Sequence, residues 1–204
     1  MKTRLAMLCA CLCLAASFAI AADAPKAKAG KGAAMDPAAM QEMMMKAAAP
    51  GPQHQWLQKM VGNWDLTVHY QMDPSQPMAE AKSTSVITSL MDGRYIQEES
   101  TGEMMGQPFH GMGLTGYDNL TKKFVSTWVD NMGTGIMKSE GTADAAGKVI
   151  TFTGSMADPI TGKMMKYRAV TTVADDDHHT FEMYNPSPQG KEMMTMKIEY
   201  ARKM

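Results

Sequence analysis

The chain has 204 residues, with 20 Lys and Arg against 21 Asp and Glu, and a formal charge of −1. That balance gives no footprint for nucleic acid, which needs clustered basic residues. The cysteines, Cys9, Cys11 and Cys13, all lie in an N-terminal apolar leader. Once that leader is removed, disulfides, thiolate catalysis and cysteine-ligated metal centres are excluded by composition.

Residues 1–21 read as a secretory signal peptide. Lys2 and Arg4 form its basic end, Leu5 to Ile20 its apolar run, and Ala19-Ile20-Ala21 a small-x-small cleavage site. Cleavage would start the mature chain at Ala22, take the formal charge to −3, and send the protein to the periplasm or outside the cell. A lipoprotein reading of Cys11 would truncate the apolar run and leave Cys13 on the mature chain. The run is short for a bilayer span, which takes about 20 apolar residues. No later stretch approaches that length, so no transmembrane segment is expected.

Residues 22–50 form a flexible linker rich in Ala, Lys and Met. Its first part, AADAPKAKAGKGA, has almost nothing to bury. Asp36-Pro37 then reads as an N-cap and first helical position. Ala38 to Ala48 are strong helix formers, with Met40, Met43 and Met44 at a spacing that could dock on a body. Pro50-Gly51-Pro52 ends this short helical extension, and one or two further turns of helix are expected over His54 to Met60.

From residue 51 to 204 the pattern is that of a single all-β domain. Gly62-Asn63-Trp64 opens a strand in which Trp64, Leu66, Val68 and Tyr70 alternate with polar residues. Asp73-Pro74 turns the chain toward a strand near 79–90, and Asp92-Gly93 marks a hairpin. Strands follow near 94–103, 109–117, 123–131, 135–143, 148–156, 164–174, 179–184 and 193–202, separated by turns rich in Asp, Gly and Pro. Ten strands with short connections favour an antiparallel up-and-down order. Closure into a barrel removes the two long edges such a sheet would otherwise expose.

Gly111, Gly113 and Gly116 spell G-x-G-x-x-G, but Tyr117 to Val125 continue as a turn and a strand. A dinucleotide fingerprint must open a helix. The glycines are therefore expected to bend a strand or permit close approach. Gly62-x-Trp64 pairs in type with Arg202, which shares strand parity with Met196, Ile198 and Tyr200, so a cation–π contact between Arg202 and Trp64 is expected as a structural feature.

Residues 51–204 hold 17 Met against 11 Leu and Ile together. Three readings follow: core filling, a pliant wall for an apolar ligand, or soft-metal binding of copper or silver through thioethers. Met194 and Met196 share strand parity, whereas Met104-Met105, Met164-Met165 and Met193-Met194 are adjacent and should point to opposite faces.

His178-His179 follow Asp175-Asp176-Asp177 and suggest a solvated turn or an adventitious surface metal site. His69 and His110 fall on strands. Carboxylates at Glu98, Glu99, Glu103, Asp130, Glu140 and Glu182 complete the polar inventory. Asp130 shares parity with Phe124, Ser126 and Trp128. No nucleophile elbow, zinc-protease motif or P-loop is present, and nothing calls for a cofactor.

The segments GPQHQWLQKMVGNWD (51–65), MDGRYIQEE (91–99), GLTGYDN (113–119), KFVSTWVDNMGTGIM (123–137) and SEGT (139–142) give the chain from about Gly51 to Lys203 a resemblance. It resembles a bacterial family catalogued as domain of unknown function 1579. The resemblance implies a calycin-like, lipocalin-type barrel and brings no activity and no functional residue.

The expected function is binding of a small apolar or amphipathic ligand inside the barrel. Tyr95, Trp128, Asp130, Met137, Tyr167, Met194 and Met196 are expected to line or plug the cavity. Parity groups them by face without saying which face is inside. The alternatives are soft-metal binding, an enzyme using Asp130, His69 or His110 in a shared pocket, and a plain interaction module on the 22–50 tether.

Overall fold

A computed structural model describes residues 35–71, 75–158, 160–187 and 189–204. The leader, the first part of the linker and the Asp73-Pro74 turn lie outside the described residues.

Two helices precede ten strands. Helix α1 spans Pro37–Ala48 and α2 Pro52–Gln58. The strands are β1 (Gly62–Tyr70), β2 (Ala79–Leu90), β3 (Tyr95–Met104), β4 (Gln107–Asp118), β5 (Lys123–Asp130), β6 (Met137–Ala143), β7 (Val149–Ala157), β8 (Met164–Val173), β9 (His178–Pro186) and β10 (Glu192–Arg202). Each strand pairs antiparallel with its sequence neighbours, and β1 pairs with β10 to close an up-and-down barrel. The seam runs in register from Trp64 opposite Arg202 to Tyr70 opposite Met196.

Asp36 caps α1, its Oδ1 accepting from Ala38 N at 3.3 Å, with Pro37 in the first turn. Met40, Met43 and Met44 do not dock on the barrel; they are exposed. The helix is held instead at its C-terminal end, where Asn119 Nδ2 donates to the carbonyls of Ala47 and Ala49, each at 2.8 Å.

Helix α2 plugs one end of the barrel. Leu57 is fully buried there, Trp56 meets Phe124 edge-on at 5.8 Å between ring centroids, and His54 meets Tyr117 at the same distance. Gly51 N donates to His54 Nδ1 at 2.9 Å, which satisfies an orphan donor at the helix start. Arg202 locks this end. Its guanidinium lies 4.2 Å over the Trp64 ring and donates to the carbonyls of Lys59, Val61 and Asp176. Trp64 Nε1 donates to Met60 O at 2.9 Å. A Cβ on Gly62 would overlap Arg202 Nη1, so the Gly-x-Trp spacing leaves room for the guanidinium. Among the described residues, no helix covers the opposite end.

The G-x-G-x-x-G glycines lie within β4 and do not open a helix, and none of them has positive φ. They clear space for aromatic rings on the two sides of the wall. Inside, the Trp128 indole lies on Gly111 and Gly113; a Cβ on Gly113 would come 2.9 Å from Trp128 Cε3. Outside, a Cβ on Gly116 would come 2.5 Å from the Tyr95 ring.

Candidate functional site

The barrel encloses a cavity of about 340 Å³, running from Leu57 beside the α2 plug to Asp130 and Met132 at the opposite rim. Volumes of this order suit small ligands. Strand alternation builds the wall. Of the buried apolar residues, Leu57, Leu66, Val68, Ile96 and Ile150 line the cavity, while Trp64, Ile87 and Phe124 are buried in the core outside its lining. Toward the rim the wall becomes soft, with Met104, Met132, Met137, Met156, Met183 and Met196 interleaved with Phe109, Trp128 and Phe181.

Of the seven residues singled out from sequence, Trp128, Asp130, Met137, Tyr167 and Met196 line this cavity. Asp130 acts as a brace: Oδ2 accepts from Trp128 Nε1 at 2.9 Å and Oδ1 from Met132 N at 3.0 Å. Tyr167 is 6% exposed, its hydroxyl donates weakly to Lys138 O at 3.4 Å, and burial raises its pKa.

Tyr95 and Met194 lie elsewhere. Tyr95 is on the outer face, because Ile96 takes the inward position at the start of β3. Met194 is turned out by a β-bulge. Thr195 is inserted between Met194, opposite Tyr184, and Met196, opposite Met183. The bulge breaks the parity that placed Met194 and Met196 on one face.

His69 and His110 also face outward. His69 lies between Glu80 and Glu199, and His110 is exposed. Asp130 is thus the one member of that trio at the cavity. His178 meets Asp175 at 2.9 Å on the surface, while His179 points inward. Among the described residues, no three His, Cys, Asp or Glu side chains gather as a metal site.

The polar centre of the cavity is Glu98, named in the sequence without a role. Its Oε1 accepts from Ser85 Oγ at 2.9 Å, Ser100 Oγ at 3.1 Å and Tyr200 Oη at 3.1 Å. Desolvation raises the carboxyl pKa, opposed by these three donors. The residue is half-buried and keeps part of its surface on the cavity. Tyr200 is pushed well above the usual phenol range, first by burial and then by the Glu98 charge.

His179 stacks on Tyr200 with ring centroids 4.0 Å apart and meets Trp64 edge-on at 4.4 Å. Its Nε2 is buried without a hydrogen-bond partner. Burial, and then the charge of Arg202, pull its pKa down to about 4. The ring is therefore neutral near pH 7. Tyr200 was legible in principle as the hydroxyl on the apolar parity of the last strand. Glu98 was not, because Gln97, Glu98 and Glu99 are polar on both parities.

The profile of a protein family of unknown function, DUF1579, matches residues 49–202. The chain belongs to the DUF1579 family. α1 lies outside the matched region, and α2 and the whole barrel lie inside it. Among curated proteins, none matches this DUF1579 chain. Among solved structures it is similar to the crystal structure of Rv2717c from M. tuberculosis, at 14% identity and a TM-score of 0.55, covering 76% of this chain and 100% of that one. That likeness shows the fold. A redesigned beta barrel, b11L5F_LGL, gives 12% identity and a TM-score of 0.38, over 72% of this chain and 95% of that one. Among the described residues, no helix is long and apolar enough to cross a membrane.

Proposed function

We propose that this DUF1579 barrel binds a small apolar or amphipathic molecule in its interior, without chemistry, after export to the periplasm or beyond. The observation that carries the reading is the cavity of about 340 Å³, walled by methionine and aromatic side chains and holding one polar cluster at depth. Methionine walls adapt to ligand shape because the side chain is unbranched and polarizable. The leader at residues 1–21 supports export.

Native mass spectrometry of protein purified from its own host, gently desolvated, tests the binding. A retained mass that organic extraction removes supports it. A ligand-free spectrum, together with no uptake of an apolar fluorophore, would sink it. N-terminal sequencing of the same sample tests export, with Ala22 as the expected first residue. The methionines at the rim also offer thioethers to a soft ion, and a flat Ag(I) titration would remove that second reading.

A further inference from the structure

The two carboxylates on the cavity differ in a way that bears on the ligand. Both oxygens of Asp130 are engaged, one by Trp128 Nε1 and the other by Met132 N. Glu98 receives all three of its donors on Oε1, and Oε2 takes none of them. Three donors saturate Oε1 and leave Oε2 as the oxygen open to a further partner.

Those donors are neutral hydroxyls, so they stabilise a negative charge without cancelling it. The ionisable groups facing the cavity are Glu98, Asp130, Tyr167, His179 and Tyr200. Among the described lining residues there is no Lys or Arg, and His179 is held neutral near pH 7. A buried carboxylate without a cation is expensive, and a charge-assisted bond to a partner relieves it.

We propose that the ligand is an apolar amine whose ammonium group donates to Oε2 of Glu98 while its hydrocarbon part lies against the rim methionines. This rests on the reading of the barrel as a ligand-binding protein and adds the chemistry of the ligand's polar end. An acid is repelled by two carboxylates. A neutral alcohol gains one hydrogen bond but leaves the charge unpaired.

The test is calorimetric titration of the full chain near neutral pH with 1-decylamine, 1-decanol and decanoate, repeated on Glu98→Gln. The expected order is decylamine first, decanol weaker by roughly tenfold or more, and decanoate undetected. Glu98→Gln should remove the advantage of decylamine, bringing it to the level that decanol reaches on the same variant. Equal or tighter binding of decanol or decanoate to the unsubstituted chain overturns the amine proposal and leaves the ligand-binding reading standing. Binding of none of the three overturns both. A decylamine preference that survives Glu98→Gln also overturns the assignment to Glu98. If that variant fails to fold, the head-group order on the unsubstituted chain decides the question.

Discussion

The phenol of Tyr200 donates to Oε1 of Glu98 at 3.1 Å, joining residues 102 apart in sequence across the inside of the barrel. The bond ties β10 to β3, which are not neighbours in the sheet. It therefore reports on the interior as a whole. Tyr200→Phe keeps the ring and its stacking on His179 and removes one donor to the carboxylate. Urea unfolding near neutral pH should show a loss of about 1.5–3 kcal/mol, the usual range for a hydrogen bond to a charged group. The Glu98 pKa is raised, so the folded state keeps a proton that the unfolded chain releases, and its contribution falls as pH rises above the ordinary value of 4.5. The Tyr200→Phe loss should thus be smaller at pH 4 than at pH 7.

His179 sets an opposite slope. Its folded pKa of about 4 lies below the ordinary 6.5, so between those values the unfolded state holds more protons. Stability then rises with pH through that window and is lost on acidification, by on the order of 3 kcal/mol for a shift of this size. His179→Phe, which preserves the stack, should abolish that part of the acid sensitivity. Denaturation midpoints measured from pH 4 to 7 check it by difference, since the Glu98 contribution stays in both proteins. Parallel curves for the two would contradict the burial argument.

Gly111→Ala should crowd Trp128. The new methyl overlaps the indole, and overpacking of this kind costs about 1–3 kcal/mol. Trp128→Leu should relieve the crowding, so a double-mutant cycle is expected to show coupling of about 1 kcal/mol or more. Additive effects would mean that the ring is not seated on the glycine.

Arg202→Lys should loosen the plugged end. One guanidinium serves three backbone carbonyls and the face of Trp64, a fork that an ammonium cannot reproduce. Hydrogen exchange should accelerate over residues 52–61, with little change in β5 to β7. Uniform acceleration across the barrel would argue that Arg202 supports global stability and does not act as a local latch.

Much of the fold was legible because strand alternation and turn residues carry it. Asp92-Gly93, Ala146-Gly147 and Thr161-Gly162 all fall between strands, and Gly93, Gly147 and Gly162 take positive φ. Which parity faced inward was not legible for residues such as Tyr95, whose ring is as suited to covering Gly116 outside as to filling the core. Met194 was lost for a sharper reason. Nothing in Met193-Met194-Thr195-Met196 announces that one residue is extra, because the bulge depends on the pairing with β9. Glu98 sits in a run of polar residues, and its burial is imposed by its place between Ile87 and Gly113 in the sheet, within reach of Ser85 and Tyr200, not by its neighbours in sequence. The short helix at 37–48 was readable from its cap, but its attachment through Asn119 was not.

The β1–β10 seam also decides how the barrel would sit on anything that holds it. Lys203 N donates to Asn63 O at 2.8 Å, and Asn119 pins the end of α1 beside the turn between β4 and β5, so both flanks of the domain leave from the α2 end. A barrel grafted to a surface through either flank would stand with Met132 and Asp130 pointing away from its support. Fusion to either flank leaves the rim unobstructed, whereas a tag inserted between β5 and β6 would sit across it.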